Sequence, residues 1–513
     1  MEQRSFSFNS ALNLFSQVFI GLVALVCLPT IIDHMGTEAF GLLALLWTII
    51  GYFGILDFGV GQSSVKFLAE SVAMGDMSKT LRMARGVLIM SFSLGLLGCL
   101  LAAVLSFSGV EGLLNVSPSS AAEARWSFRL LAVCLPAVFA QGPLRSILLA
   151  NNRFDKVNIL AALQGGLQWG GSAAVLLLGG GLLSVVAWTV ATRYIITASY
   201  LVLGVRQLPG LLSGGWKIDL APLSEFIHFS GWMTVTQVLT PFIPLAERSL
   251  LAAAAGLAAV TYFSVPADAI VRLWLIPASL ASTLLPVLSG KWINEQTRPE
   301  GVSLYRRSVK HVLAIMIPIV FLLVTYRNEL MSLWMGSDFA FHTAAIVGVL
   351  GVGILFNSLA ALPNASLLAV GRPDVAAKLL MVELPLYLGI CYYAVSEFGA
   401  LGIAGAWFLR VTTEYVILSL AIRRSFSGIK TAGPLPFAVK IWSLGIACFA
   451  ILWVLKPYGY DISTAVLVSS LYALLMWKFI YDAIDRNALV GILVSVMRAH
   501  PSARRQEAKD DPS

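Results

Sequence analysis

Uninterrupted apolar runs of about twenty residues start near positions 8, 39, 84, 126, 157, 181, 225, 257, 309, 342, 377, 400, 435 and 462. Each is long enough for an α-helix to cross the hydrocarbon core of a bilayer. Backbone in lipid must satisfy its own hydrogen bonds, so a spanning segment is either a helix or a strand of a closed barrel. Barrel strands would alternate in polarity over about ten residues, whereas these runs are continuous. The chain is therefore expected to be an all-α polytopic membrane protein with about fourteen transmembrane helices. Composition supports this, because 58% hydrophobic and 12% charged residues over 513 positions are more apolar than a water-soluble core can bury.

A second pattern organises the spans. The segment LLANNRFD, Leu148 to Asp155, returns 219 positions later as LLAVGRPD, Leu367 to Asp374. Gly180, Leu182, Ala187 and Trp188 match Gly399, Leu401, Ala406 and Trp407 at the same offset. Ser10, Gln17, Val18 and Gly36 match Ser230, Gln237, Val238 and Gly256 at an offset of 220. A register held over about 200 residues reads as a duplication. With the N-terminus inside, the outer loops hold only Arg125, Arg248, Arg327 and Lys456, with Arg129 nearby, while most other Lys and Arg fall on inner loops and helix ends. That asymmetry places both termini in the cytoplasm. Six helices per repeat make the halves parallel copies. The expected organisation is an N-lobe at 1–206, a cytoplasmic linker at 207–224, a C-lobe at 225–424, two further helices at 425–484 and a cytoplasmic tail at 485–513. The first run is followed by Asp33 and His34 rather than a small-residue cleavage site, so it is expected to remain as the first helix.

The net charge of +8 follows the membrane topology rather than forming a nucleic-acid patch, so no nucleic-acid partner is expected. Cys27, Cys99, Cys134, Cys391 and Cys448 sit inside apolar runs without CxxC spacing and read as packing residues. The five histidines offer no ligand pair, and no phosphate loop, catalytic elbow or HExxH motif is present. The Gly165-Gly166 and Gly170-Gly171 pairs lie within the fifth span and read as close packing. No metal, cofactor or enzymatic chemistry is expected.

The candidate functional residues are the charges placed where charge is costly. Arg193, Arg272 and Arg410 fall within the sixth, eighth and twelfth spans, each at a cost of about 2.5–3.5 kcal/mol at the bilayer centre. Asp268 with Arg272, and Arg410 with Glu414, have the i,i+4 spacing of a same-helix ion pair. The sixth span gives Arg193 no such acid, so it is a candidate to line a water-filled cavity and receive an anion. Arg248 follows Glu247 toward the outer end of the seventh span. Asn9, Asn13, Ser16 and Gln17 on the first span, and Thr234, Thr236, Gln237 and Thr240 on the seventh, recur at steps that place most of each group on one face. Such faces suit a hydrated cleft or contacts between helices. Asn13, Gln17, Gln237, Arg193, Arg248, Arg272 and Arg410 are the cavity candidates. Asp57, Asp268, Glu383 and Glu414 are the candidates for coupling or gating, with structural pairing as the alternative. Pro241, Pro244, Pro266 and Pro277 are expected to bend the seventh and eighth spans.

The GTEAFGLLAL segment at the start of the second span, LDFGVG at Leu56 to Gly61 and the LLAVGRPD turn, carried on two six-helix lobes plus two helices, resemble the polysaccharide transporter branch of the multidrug/oligosaccharidyl-lipid/polysaccharide exporter superfamily, the Wzx-type flippases. The resemblance covers nearly the whole chain. It implies two MATE-like lobes around a central cavity and alternating access. The implied cargo is a polyprenyl-pyrophosphate-linked oligosaccharide, moved from the inner to the outer leaflet of the bacterial plasma membrane. It also implies membrane lipids, glycosyltransferases and a polysaccharide polymerase as partners. On this reading Arg193, Arg248 and Arg272 would hold the pyrophosphate, while hydroxyl and amide side chains meet the sugars. The first span has no arginine where related peptidoglycan-precursor flippases use them, which counts against that lipid. The alternatives are a cation-coupled multidrug exporter and a non-transporting membrane scaffold.

Overall fold

The computed structural model describes residues 2–55, 65, 68–69, 71–72, 74–106, 121–213, 221–293, 296–425, 440–441, 443–445, 447, 450, 462–482 and 485–486. Asp57 and Cys448 lie outside them, as do the side chains of Asn9 and Gln237. The described residues form helices α1 (Glu2–Met35), α2 (Thr37–Ile55), α3 (Met77–Ser106), α4 (Ala121–Ala150), α5 (Phe154–Leu177), α6 (Leu182–Gln207) and α7 (Ala221–Ala255). They continue with α8 (Leu257–Val271), α9 (Leu275–Ile293), α10 (Arg298–Thr325), α11 (Arg327–Met335), α12 (Ser337–Ala369), α13 (Pro373–Ser425) and α14 (Ile462–Leu475). Among the described residues ten helices are long and apolar enough to cross a membrane, and the span within α13, 52 residues long, is more than twice the length a crossing needs. It holds two of the expected spans, because the backbone breaks from helical geometry at Gly399 (φ 54°).

The sequence repeat is written into the local geometry. The turn after α4 closes with Asn152 N–H to Leu149 O (3.0 Å) and Arg153 N–H to Leu148 O (2.9 Å). The turn after α12 closes with Gly371 N–H to Leu368 O and Arg372 N–H to Leu367 O, both 2.9 Å. The matched residues Asn152 and Gly371 have φ of 57° and 75°. Both turns satisfy the last helical carbonyls through a left-handed residue, and Asn and Gly are the types that tolerate that conformation. Gly36 and Gly256 agree likewise, with φ of 82° and 83°.

Two compact units result. The first comprises Met1–Arg272, Asn328–Leu350 and Pro373–Arg410. In it the 41–46 stretch of α2 is buried on all sides, with Leu42, Leu43, Leu45 and Leu46 each 1% exposed or less. Because α2 packs on α4 as well as on α7 and α8, this unit gathers helices from both halves of the repeat. Leu144, Ile147 and Leu148 of α4 meet Val157 of α5 and Ile196 and Tyr200 of α6 in a continuous core. A Cβ added at Gly165 would lie 2.5 Å from Ile20, so Gly165 serves the close packing of α1 on α5, while Gly171 makes room for the Trp188 indole of α6. Indole N–H groups are satisfied across helices, Trp47 to Thr189 Oγ1 (3.2 Å) and Trp188 to Leu167 O (2.7 Å), as expected where no water competes.

The second unit comprises Leu273–Arg327, Gly351–Arg372 and Val411–Ser513. Its α10 is anchored at one end by the segment after α14. Lys310 pairs with the fully buried Asp485 and lies 3.6 Å from Asp482, and Arg307 lies 3.7 Å from Asp485. Asp482 accepts the Asp485 N–H at 2.9 Å. That bond, helped by Lys310 and Arg307, holds the Asp482 carboxyl below the usual carboxylate range. A carboxylate with a depressed folded pKa stabilises above its unfolded value and loses that contribution as pH falls through the folded one. The anchor should accordingly weaken below about pH 4. Replacing Asp485 with Asn leaves Lys310 and Arg307 without their buried partner and should cost about 3 kcal/mol. Melting of the purified protein checks this, with a lower midpoint for Asp485→Asn than for wild type.

Candidate functional site

The described candidate charges of the first unit separate into a paired set and a set left open. Arg248 of α7 donates to Asp268 of α8 at 2.6 Å. Its other terminal nitrogen reaches Thr48 Oγ1, and lies 3.4 Å from the Ala44 carbonyl, both on α2. One guanidinium thus ties α2 to α7 and α8 with three acceptors, a use of its forked geometry that lysine could not reproduce. The neighbouring Glu247, 5% exposed, accepts the Tyr387 hydroxyl. Arg410 lies over the Tyr387 ring at 5.5 Å and pairs with Glu383 at 3.5 Å. Glu383 and Tyr387, four apart on α13, present both groups from one face. Glu414 is half-buried on the later part of α13, in the second unit.

These pairings revise one expectation. Asp268 does not pair through its carboxylate with Arg272; that carboxylate goes to Arg248, and Arg272 Nε instead donates to the Asp268 backbone carbonyl at 3.2 Å. A longer-range partner at hydrogen-bond distance wins over the neighbour on the same helix. Thr48 and Tyr387 were not singled out from the sequence. The signal available was indirect, since a carboxylate at the depth of Glu247 requires a donor.

Arg272 stands where the eighth span breaks. The α-helix gives way to a 3-10 turn at Arg272–Trp274 before α9 begins. Pro277 explains the break, because it has no N–H for the Leu273 carbonyl and its ring crowds that position. Arg272 is exposed and lies against Gly21 of α1, whose added Cβ would sit 2.9 Å from Arg272 Nη1. Gln17, one turn earlier on α1, is exposed and donates to Asn13 Oδ1 at 3.3 Å, with Asn13 also exposed. An adjacent face of α1 is fixed on α5, where Ser16 donates to the Asn158 carbonyl at 3.1 Å.

Arg193 is half-buried in the seam between α6 and α4, where Tyr194 and Thr197 donate to the Val133 and Ala137 carbonyls at 2.8 and 3.1 Å. Among the described residues it makes no ion pair, and Cys134 of α4 is within range of its charge. It shares no bond with the Arg248 set among the described residues. No group of His, Cys, Asp and Glu among the described residues could hold a metal ion. Exposed Arg272 and the exposed amide pair, with half-buried Arg193 beside α4, can donate to phosphate oxygens and to hydroxyls.

The chain is 26% identical over 82% of its length to a "Putative O-antigen transporter" of Shigella flexneri, matching 98% of that protein. Its fold is shared with the structure titled "Lipid II flippase MurJ, inward closed conformation", at a TM-score of 0.71 and 14% identity over 92% of this chain and 99% of that one. It is shared as well with an inward-facing multidrug resistance MATE family transporter of the MOP superfamily, at 0.66 and 15% identity over 81% and 96%. Residues 8–292 match the model of one family, and the chain, a multi-pass membrane protein with the MOP transporter fold, belongs to that polysaccharide biosynthesis protein family.

Proposed function

We propose that this protein is a flippase for lipid-linked oligosaccharide in the assembly of a cell-surface polysaccharide. It moves polyprenyl-pyrophosphate-linked glycan from the inner to the outer leaflet of the bacterial plasma membrane by alternating access, with both termini in the cytoplasm. The observation that carries this reading is Arg272, an exposed arginine in a spanning segment beside an exposed amide pair. Asp268, its neighbour on the helix, has its carboxylate bound to Arg248. A cation and two amides facing lipid would be costly, so they face water and a polar ligand. Family membership and an O-antigen transporter as relative supply the substrate class.

In this reading Arg272, with Arg193 as a second donor, receives the pyrophosphate, and Asn13 and Gln17 meet the sugars while the lipid tail stays in the bilayer. Arg248 and Arg410, with Asp268 and Glu383, hold the helices that carry the site. An inside-negative potential favours outward movement of each negative charge by about 2.3 kcal/mol per 100 mV, a contribution that needs no ATP. Glycosyltransferases that build the glycan and a polymerase that consumes it are the partners such a step requires.

Cysteine labelling tests the reading. With native cysteines replaced, Asn13→Cys and Gln17→Cys should react with a membrane-impermeant thiol reagent, and lipid-linked glycan should protect them. Positions unreactive from either side would favour a scaffold, and protection by cationic drugs instead of glycan would favour a multidrug exporter.

A further inference from the structure

Asn13, Gln17 and Gly21 occupy one stripe of α1 at successive i,i+4 steps. The two amides are exposed and joined at 3.3 Å, whereas Gly21 is buried. The atom that covers Gly21 is Arg272 Nη1, 2.9 Å from where a Cβ would be, with Arg272 Cδ at 4.0 Å. Real side chains do not approach so closely, so the guanidinium occupies space that every residue except glycine would fill. Four residues of helix rise about 6 Å, which puts the Gln17 amide about one turn from the guanidinium. Arg272 Nε is held by the Asp268 carbonyl at 3.2 Å, so the head group is oriented from α8 and seated on α1.

We propose that Gly21 is a positioning residue of the substrate site. Its missing side chain lays the Arg272 guanidinium along α1, in line with the Gln17 and Asn13 amides, forming a single subsite for a phosphate and the sugar attached to it. This rests on the flippase reading and adds its geometry: the phosphate lies at Gly21 and the first sugar lies toward Asn13. A side chain at position 21 pushes the guanidinium out of that line without removing its charge. Gly21 therefore acts only through Arg272.

Binding measured by calorimetry on the purified full-length protein tests this with two probes, geranyl pyrophosphate and a geranyl-pyrophosphate-linked disaccharide. Gly21→Val should weaken both by about tenfold, the scale of a lost hydrogen bond to a charged group. Asn13→Ala with Gln17→Ala should weaken the disaccharide alone. Arg272→Gln with Gly21→Val should bind no more weakly than Arg272→Gln, since the second change has nothing left to displace. Gly21→Ala, which asks the flexible head group to shift only slightly, should fall between wild type and Gly21→Val and carries the same cycle if the valine variant does not fold. If wild type binds neither probe, the flippase reading and this inference fall together. If wild type binds both while the Gly21 variants bind equally well, or if the two losses add in the double variant, the inference is overturned and the flippase reading stands.

Discussion

Valine in place of Gly41 stops the transport cycle while leaving an inserted, folded protein. Gly41, in the second turn of α2, lies against the start of α8, where an added Cβ would be 2.7 Å from the Leu257 carbonyl carbon and 3.1 Å from Thr261 Oγ1. The first obstacle is backbone, so no rotamer change relieves it. Thr261 Oγ1 donates to the Thr37 carbonyl at 2.5 Å in the same contact. In the proposed topology both helices begin at the outer face, and on the flippase reading this contact closes that side. Overpacking costs about 1–3 kcal/mol where the surroundings relax, and a shift of 3 kcal/mol moves a two-state equilibrium by roughly 150-fold. Transport by Gly41→Val should fall by about that factor, with Gly41→Ala between it and wild type. Cysteines placed at Thr37 and Thr261 should cross-link readily in an otherwise wild-type protein and poorly in the Gly41→Val variant. Efficient cross-linking in that variant would show that this contact is not what the substitution disturbs.

Arg248→Gln should be strongly destabilising, on the scale of the Asp485 change in the second unit. It removes the partner of Asp268 and the donors to Thr48 and the Ala44 carbonyl at once. Breaking a buried ion pair on one side costs about 3–5 kcal/mol, and the half-exposed Asp268 places the value at the lower end. The double variant Arg248→Gln with Asp268→Asn should recover part of the loss, because no unpaired charge remains. Thermal melting of the three variants decides it, and a double variant no more stable than Arg248→Gln alone would remove the ion pair from the explanation.

The helices and turns were legible in the sequence because they depend on local chemistry. Continuous apolar runs specify spans, and the LLANNRFD and LLAVGRPD segments specify a left-handed turn at matched positions, visible at Asn152 and Gly371. Pairings were much less legible. The i,i+4 rule gave Arg272 to Asp268, but the carboxylate went to Arg248, twenty residues away, because helix packing brought a donor to 2.6 Å. Glu383 as the partner of Arg410 and Tyr387 as the donor to Glu247 likewise depend on which faces meet. Gly21 carried no signal in the sequence at all. Its importance appears only once an arginine from another helix is found lying on it.

On the flippase reading, lipid-linked glycan crosses the membrane through this protein, held by a cationic site within it. The direct measurement is leaflet movement of a polyprenyl-pyrophosphate oligosaccharide in liposomes containing the purified protein, alongside an Arg193→Gln/Arg272→Gln variant that melts like wild type. Wild type should move the lipid-linked glycan, and the variant should not. No movement by wild type with several glycans, or equal movement by the variant, would contradict it.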